Sequence, residues 1–299
     1  MREDWTQPAG WTERLASLPA LAILVLILQP FALGAITGAV FPLAHRDREP
    51  ADRSAVGTGA VSPDTLARRL IEGEHVLSAY SGVSYTAPSD VHVERPDDTS
   101  FTIRNVRWDG QAFKNPIYYG VRIATWFKNL PLGLMLDFTH AKAISRPGDE
   151  VTLRGRNAGK PVAGRSTLAK VFRKLEFSHG HNILLLNGLA RLPSGSARLR
   201  PYLGLGAGLA VPHLEIQETG AADRTYTYQV VGPAFQALVG IELRLANTSV
   251  FIEYKLSYSP YRPKLTDARG GTMRTDLLTS HFLGGFSLRA GRAPMPAGG

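Results

Sequence analysis

The chain has 299 residues, 44% of them apolar and 20% charged, with 34 Lys+Arg against 25 Asp+Glu, 30 Gly and no Cys. Length and apolar content allow a real core and exclude a disordered chain, while the missing cysteines exclude disulfide scaffolds, Cys-ligated zinc and thiol catalysis. The formal charge of +9 calls for an anionic partner and leaves nucleic acid, anionic lipid and anionic glycolipid open.

Residues 15–44 carry no charge, and Leu21–Leu28 is a dense aliphatic block ended by Pro30. Thirty uncharged residues exceed the roughly 20 that cross a bilayer as a helix. The small residues Ala32, Gly34 and Ala35 and the preceding Arg14 favour an export signal over an uncleaved anchor. Residues 1–44 are thus expected to be a signal peptide or N-terminal anchor that takes the rest of the chain out of the cytoplasm. Residues 45–73 are polar and read as a linker, with a short helix opened by Ser62-Pro63-Asp64 and running through Leu70.

From residue 74 to 288 the apolar residues alternate with small or polar ones. Eight such segments stand out: 75–86, 116–128, 131–144, 180–192, 198–214, 227–244, 248–260 and 275–288. Leu132, Leu134, Leu136 and Phe138 share one face, against Gly133, Met135 and Asp137; Leu203, Leu205, Ala207 and Leu209 oppose three glycines; Val250, Ile252, Tyr254 and Leu256 oppose Phe251, Glu253, Lys255 and Ser257. A two-residue period with one continuous apolar face is the pattern of lipid-facing strands. Connections alternate between short (129–130, 193–197, 245–247) and long (87–115, 145–179, 215–226, 261–274), and aromatics gather near segment ends. The expected fold is all-β: an eight-stranded antiparallel up-and-down transmembrane β-barrel over 74–288, preceded by the hydrophobic segment and followed by a flexible tail, 289–299. A barrel this narrow is filled by side chains. The alternation puts Arg122, Asp137, Gln236, Glu242, Glu253, Lys255 and His281 inside it.

Chemistry is then expected at the rim with the long connections. His140, His179, His181 and His213 fall there, with Glu176 and Glu215 beside them. Converging imidazoles and carboxylates suit a divalent metal or proton transfer. Basic residues crowd 145–177, including Arg173 and Lys174, and such a segment attracts phosphates or acidic sugars. Its glycines, Gly155, Gly159 and Gly164, equally suit a solvated flexible loop. No nucleotide or flavin fingerprint is present, so redox coenzymes are not expected; nucleic acid is not expected because the densest basic stretch falls in the segment placed at the outer rim.

Ordered short motifs carry a family resemblance: Trp108-Asp109-Gly110 with Pro116-Ile117-Tyr118-Tyr119-Gly120-Val121-Arg122, Asp137-Phe138-Thr139-His140-Ala141-Lys142, and Leu175-Glu176-Phe177-Ser178-His179-Gly180-His181-Asn182. They continue with Pro201-Tyr202-Leu203-Gly204, Val211-Pro212-His213, Tyr228-Gln229, Gly232-Pro233-Ala234 and Glu253-Tyr254. Together, over about residues 75–288, they resemble the outer-membrane lipid A oxidases of rhizobia and relatives. The resemblance implies a monomeric barrel in the outer membrane of a Gram-negative bacterium. It would act on lipid A within lipopolysaccharide, oxidising the proximal glucosamine to 2-aminogluconate with molecular oxygen as acceptor. A divalent metal ion is the implied cofactor. Position then nominates His140, His181, His213, Glu176 and Asp137 as catalytic, the three histidines also as metal ligands, and Lys142, Arg122, Arg173 and Lys174 as substrate-binding. The rival classes are a non-catalytic structural or adhesive barrel and a lipid A deacylase, the latter with only Ser178 and His179 as a nucleophile–base pair.

Overall fold

The computed structural model describes residues 63–290. The expected leader or anchor over 1–44, most of the 45–73 linker and the tail beyond residue 290 lie outside the described residues. Helix α1 (Pro63–Ile71) begins with Pro at its first position and Asp64 in its first turn. Proline there forfeits no hydrogen bond, and the carboxylate faces the positive end of the helix dipole.

Fifteen strands follow among the described residues. β1 (Glu74–Thr86) leads to β2 (Ser89–Arg95), β3 (Thr99–Val106) and the two-residue β4 (Trp108–Asp109). β5 (Tyr119–Trp126) and β6 (Leu132–Ser145) precede β7 (Glu150–Asn157) and β8 (Lys160–Thr167). Then come β9 (Phe172–Arg191), β10 (Leu199–Ala210), β11 (His213–Glu218), β12 (Thr225–Tyr228), β13 (Gly232–Leu245), β14 (Thr248–Tyr261) and β15 (Thr272–Ala290). The order β1-β5-β6-β9-β10-β13-β14-β15 closes on itself because β15 also pairs with β1. All eight pairings in this ring are antiparallel, so the closed barrel has no free edge. The ring strands agree with the eight expected segments but differ at several ends: β5 is shorter than 116–128 at both ends, and β13 begins at Gly232, five residues into 227–244, whose first two residues belong to β12. Segment 180–192 begins eight residues earlier, at Phe172; segment 198–214 divides into β10 and β11; and β15 runs on through Ala290.

The long connections overturn the expectation of loops. β15 passes its outer half to β2, and the sheet continues through β3 and β7 to β8, while the outer half of β9 pairs with β11 and β11 with β12. The basic segment around Arg154, Arg156 and Arg165 is therefore a hairpin, turned at Ala158 and Gly159, both with positive φ. Two positive-φ residues define the two-residue turn whose twist matches its strands. A tilted transmembrane strand needs about 9–11 residues. β9 has 20 and β15 has 19, so both continue beyond a bilayer into this β head.

The interior is layered. Near the short turns, Val76, Ala124, Trp126, Met135, Leu189, Tyr202 and Leu238 form an apolar plug. All seven expected lumen side chains are buried, Glu242 on the short-turn side of this plug and the charged pairs of Arg122, Asp137, Glu253 and Lys255 above it. Lys255 donates to Asp137 at 2.5 Å and to the Tyr80 hydroxyl at 2.8 Å, and that hydroxyl donates to Asp137 at 2.8 Å. Arg122 donates to Glu253 at 2.8 Å and lies 4.1 Å above the Phe251 ring. Two cations and two carboxylates thus cancel in a space that admits no bulk water. His281 meets Tyr118 and Ser257 through its two ring nitrogens. The head has its own core, in which Val91, Phe101, Ile103, Trp108, Phe177 and Leu214 are fully or almost fully buried.

The outer wall is apolar over the barrel. Leu77, Val83, Val121, Ile123, Leu205, Val239, Ile252 and Phe282 are all large and exposed. An apolar outside around a charged, filled inside defines a transmembrane β-barrel.

Candidate functional site

The alternation of β9 builds the site. Leu175 and Phe177 turn into the head core, which forces Glu176 between them to the outer face. The neighbouring β11 does the same: Leu214 and Ile216 go inward, and His213 and Glu215 go outward. Because Glu215 and Glu176 are register partners, two carboxylates face one another across the strands. Each has its own cation, with Lys174 donating to Glu176 and Arg224 to Glu215, both at 2.6 Å.

A bulge brings in a third histidine. Ala141 pairs with His181 and Ala143 with Phe177, so Lys142 alone opposes residues 178–180. Gly180 absorbs the distortion at φ +136, where a side chain is strained and a Cβ would also meet the Asn182 amide. His179, on this bulge, lies edge-on to His213 with ring centroids 4.9 Å apart. Its Nδ1 is 4.0 Å from Glu215 Oε2. Tyr226 and Tyr228 flank His213 at 4.4 and 4.7 Å, a cage from the alternating Thr-Tyr-Thr-Tyr of β12. His213 is 6% exposed and its Nδ1 has no hydrogen-bond partner. Burial first, then His179 and Arg224, hold its pKa below the ordinary imidazole value, which favours the neutral ring.

His140 occupies the same outer face, one row nearer the bilayer. It stacks on Tyr119 at 4.8 Å, and its Nδ1–H donates to Asn182 Oδ1 at 2.8 Å. An amide oxygen only accepts, so the proton sits on Nδ1 and leaves a lone pair on Nε2. That Nε2 is buried without a partner. The row below Tyr119, His140 and Asn182 is Val121, Phe138 and Leu184, part of the apolar wall. The polar site therefore begins one side-chain row, about 7 Å, above the lipid-facing surface.

The structure groups the sequence-nominated residues differently from the expectation. His140, His213 and Glu176 lie on the outer face, joined by His179 and Glu215. His181 points inward, against the Tyr261 hydroxyl. Asp137 and Arg122 are likewise interior, each held in its ion pair. A period of two puts His140 and Asp137, three residues apart, on opposite faces of β6. Lys142 lies on the outer side, donating to the Lys114 carbonyl at 2.8 Å; Lys174 is tied to Glu176, and Arg173 is exposed. Arg224, Tyr226 and Tyr228 complete the site. Arg224 and Tyr226 carried no motif, and Tyr228 appeared only in the Tyr228-Gln229 pair, with no role assigned.

A divalent cation shared by His140, His181 and His213 does not fit this arrangement, because the sheet wall separates the His181 ring from the other two. Among the described residues, no group of three or more His, Asp or Glu side chains has metal-holding geometry. Ser178 and His179 are closer than sequence adjacency predicts, with Oγ 3.4 Å from Nδ1 across the bulge. Glu215 approaches that same nitrogen, so the three do not form a relay through opposite ring nitrogens.

No protein-family model and no curated protein sequence matches the chain. Solved structures with similarity include the crystal structure of Neisserial surface protein A (NspA), at 12% identity and TM-score 0.31, covering 72% of this chain and 96% of that one. The solid-state NMR structure of outer membrane protein AlkL in lipid bilayers is also similar, at 14% identity and TM-score 0.37, covering 85% of this chain and all of that one.

Proposed function

We propose that this chain is a monomeric outer-membrane enzyme of Gram-negative bacteria that oxidises the proximal glucosamine of lipid A to 2-aminogluconate. One observation carries the reading: His213, buried and held neutral beside Glu215 and Arg224, faces outward on the same face as His140, which lies one row above the lipid-facing wall. Headgroup sugars and phosphates of a membrane lipid lie at that depth. The sequence resemblance supplies the substrate and the oxidant.

The substrate is a sugar with a free anomeric hydroxyl, and the reaction balances without a coenzyme. The hemiacetal loses two electrons and two protons to O2, giving a lactone and hydrogen peroxide, and water then opens the lactone to the acid. His213 takes the hydroxyl proton through Nε2, since its Nδ1 is shut away from solvent. Tyr226 and Tyr228 present ring faces and edges to the sugar. Lys142, Arg173 and Lys174 draw in the anionic groups, and Glu215, held by Arg224, stabilises protonated His213. No step is assigned to a metal ion.

Deacylation is the second reading, favoured by the Ser178–His179 contact at the same rim. Purified protein supplied with lipid A bearing a free anomeric hydroxyl separates the two. The proposal requires stoichiometric peroxide and 2-aminogluconate; released fatty acid, or neither product, contradicts it.

A further inference from the structure

The opposite mouth of the barrel, at the short turns, carries a second concentration of charge. Arg191, Arg200, Arg244 and Arg289 line its inner wall with only Glu74 and Glu242, a formal excess of +2 from four guanidiniums and two carboxylates. Glu74 is already shared, accepting from Arg191 at 2.9 Å and from Arg244 at 2.6 Å, with Arg289 Nε at 3.7 Å. Glu242 lies 3.5 Å from Arg289. Arg200 is the register partner of Glu242, yet among the described residues no ion pair joins it to any carboxylate. Its Nε is shut away from solvent with no acceptor, as are Nε of Arg191 and Nε of Arg244.

Buried guanidinium N–H groups without acceptors are costly, and a cationic side chain 83% or more withdrawn from water, as in Arg191 and Arg244, calls for an anion. The space for one is there. An open cavity of about 750 Å³ is lined by Arg191, Arg200, Glu74 and the Lys128–Glu72 ion pair, with Trp126 on its wall. Arg191 stacks over that indole at 4.0 Å, which fixes the plane of its guanidinium.

We propose that the short-turn mouth is an oxyanion site, binding a soluble phosphate or carboxylate group with Arg200 as its anchor and Arg191 as its second donor. The guanidiniums face the barrel interior, where lipid headgroups have no access, so the ligand enters from the aqueous side. Glu74 positions the neighbouring arginines and leaves Arg200 to the ligand. The site is separate from the outward histidine patch and independent of its chemistry.

The test is a titration of the full chain in maltoside micelles with inorganic phosphate, followed by 31P line broadening, and in parallel with acetate. Saturable binding of either anion is expected. Arg200→Gln should weaken it by ~10-fold or more, because one charge-assisted fork is lost. Arg200→Lys should fall between, since it keeps the charge without the planar fork. The exposed head variant Arg274→Gln should leave it unchanged. Lack of saturable binding by the wild type, or equal binding by the wild type and Arg200→Lys, overturns the proposal. If Arg200→Gln does not fold, the lysine variant decides alone.

Discussion

The His179 ring meets the edge of the His213 ring at a centroid distance of 4.9 Å, and the contact depends on the bulge that sets residues 178–180 against Lys142. Gly180 makes that bulge tolerable. Gly180→Ala forces a Cβ into the Asn182 amide and keeps φ in the left-handed region, a strain of about 1–3 kcal/mol. Urea unfolding should show that loss, and lipid A conversion should fall with it because His179 and Asn182 both shift. Unchanged stability would contradict the bulge geometry.

The interior ion pairs are a separate matter from the site. Lys255→Met leaves Asp137 charged and buried, at a cost of about 3–5 kcal/mol. Adding Asp137→Leu removes the orphaned charge and should recover most of it. Folding equilibria of the two single variants and the double variant test this, and additive losses would show that the pair is not coupled.

Burial, then the neighbouring His179 and Arg224, lower the pKa of His213, which fixes the sign of its pH dependence. The neutral form is the base, so activity should hold near and above pH 6.5 and decline only as the pH falls through the lowered folded value. Stability follows the same direction. The folded state resists protonation that the unfolded chain accepts, so the contribution is complete above 6.5 and is lost as the medium becomes more acid. His213→Gln should lower the rate by about 10²–10⁴-fold and abolish this acid limb. An acid limb that survives in the variant would assign the titration elsewhere.

Membrane insertion is tested on the outer wall. Leu205→Arg places a charge among exposed apolar side chains of β10 and should cost about 2–4 kcal/mol for folding into lipid vesicles. The same residue type at Thr152, exposed on β7 in the head, should change stability by no more than about 0.5 kcal/mol. Equal effects at both positions would mean that β10 does not face lipid.

The barrel was legible because a lipid-facing wall imposes a strict two-residue period, visible from Leu203 to Leu209 and from Val250 to Ser257. The head was not. In β7 the inward Val151 and Leu153 alternate with Thr152, Arg154 and Arg156, whose outer face meets water, while Gly159 serves a tight turn and Gly155 the close approach of the β3 backbone. The interior charges were readable from that same period, Asp137 and Lys255 included. His181 was harder to place. Ile183, Leu184, Leu185 and Leu186 are apolar on both faces, the inner one packing on the core and the outer one facing lipid, so no alternation marks which way the preceding histidine turns. The two extra residues at the bulge, invisible in a single sequence, then bring His179 to the patch.

The central claim is that the outward histidine patch oxidises a lipid A sugar. It is tested most directly by mass spectrometry of lipid A from matched cells lacking the protein, carrying it, and carrying His213→Gln. The account predicts that wild-type protein adds the mass of one oxygen atom to the sugar backbone and leaves every acyl chain in place, and that the variant adds nothing. Lipid A that is unchanged by the wild-type protein, or that has lost an acyl chain, would contradict it.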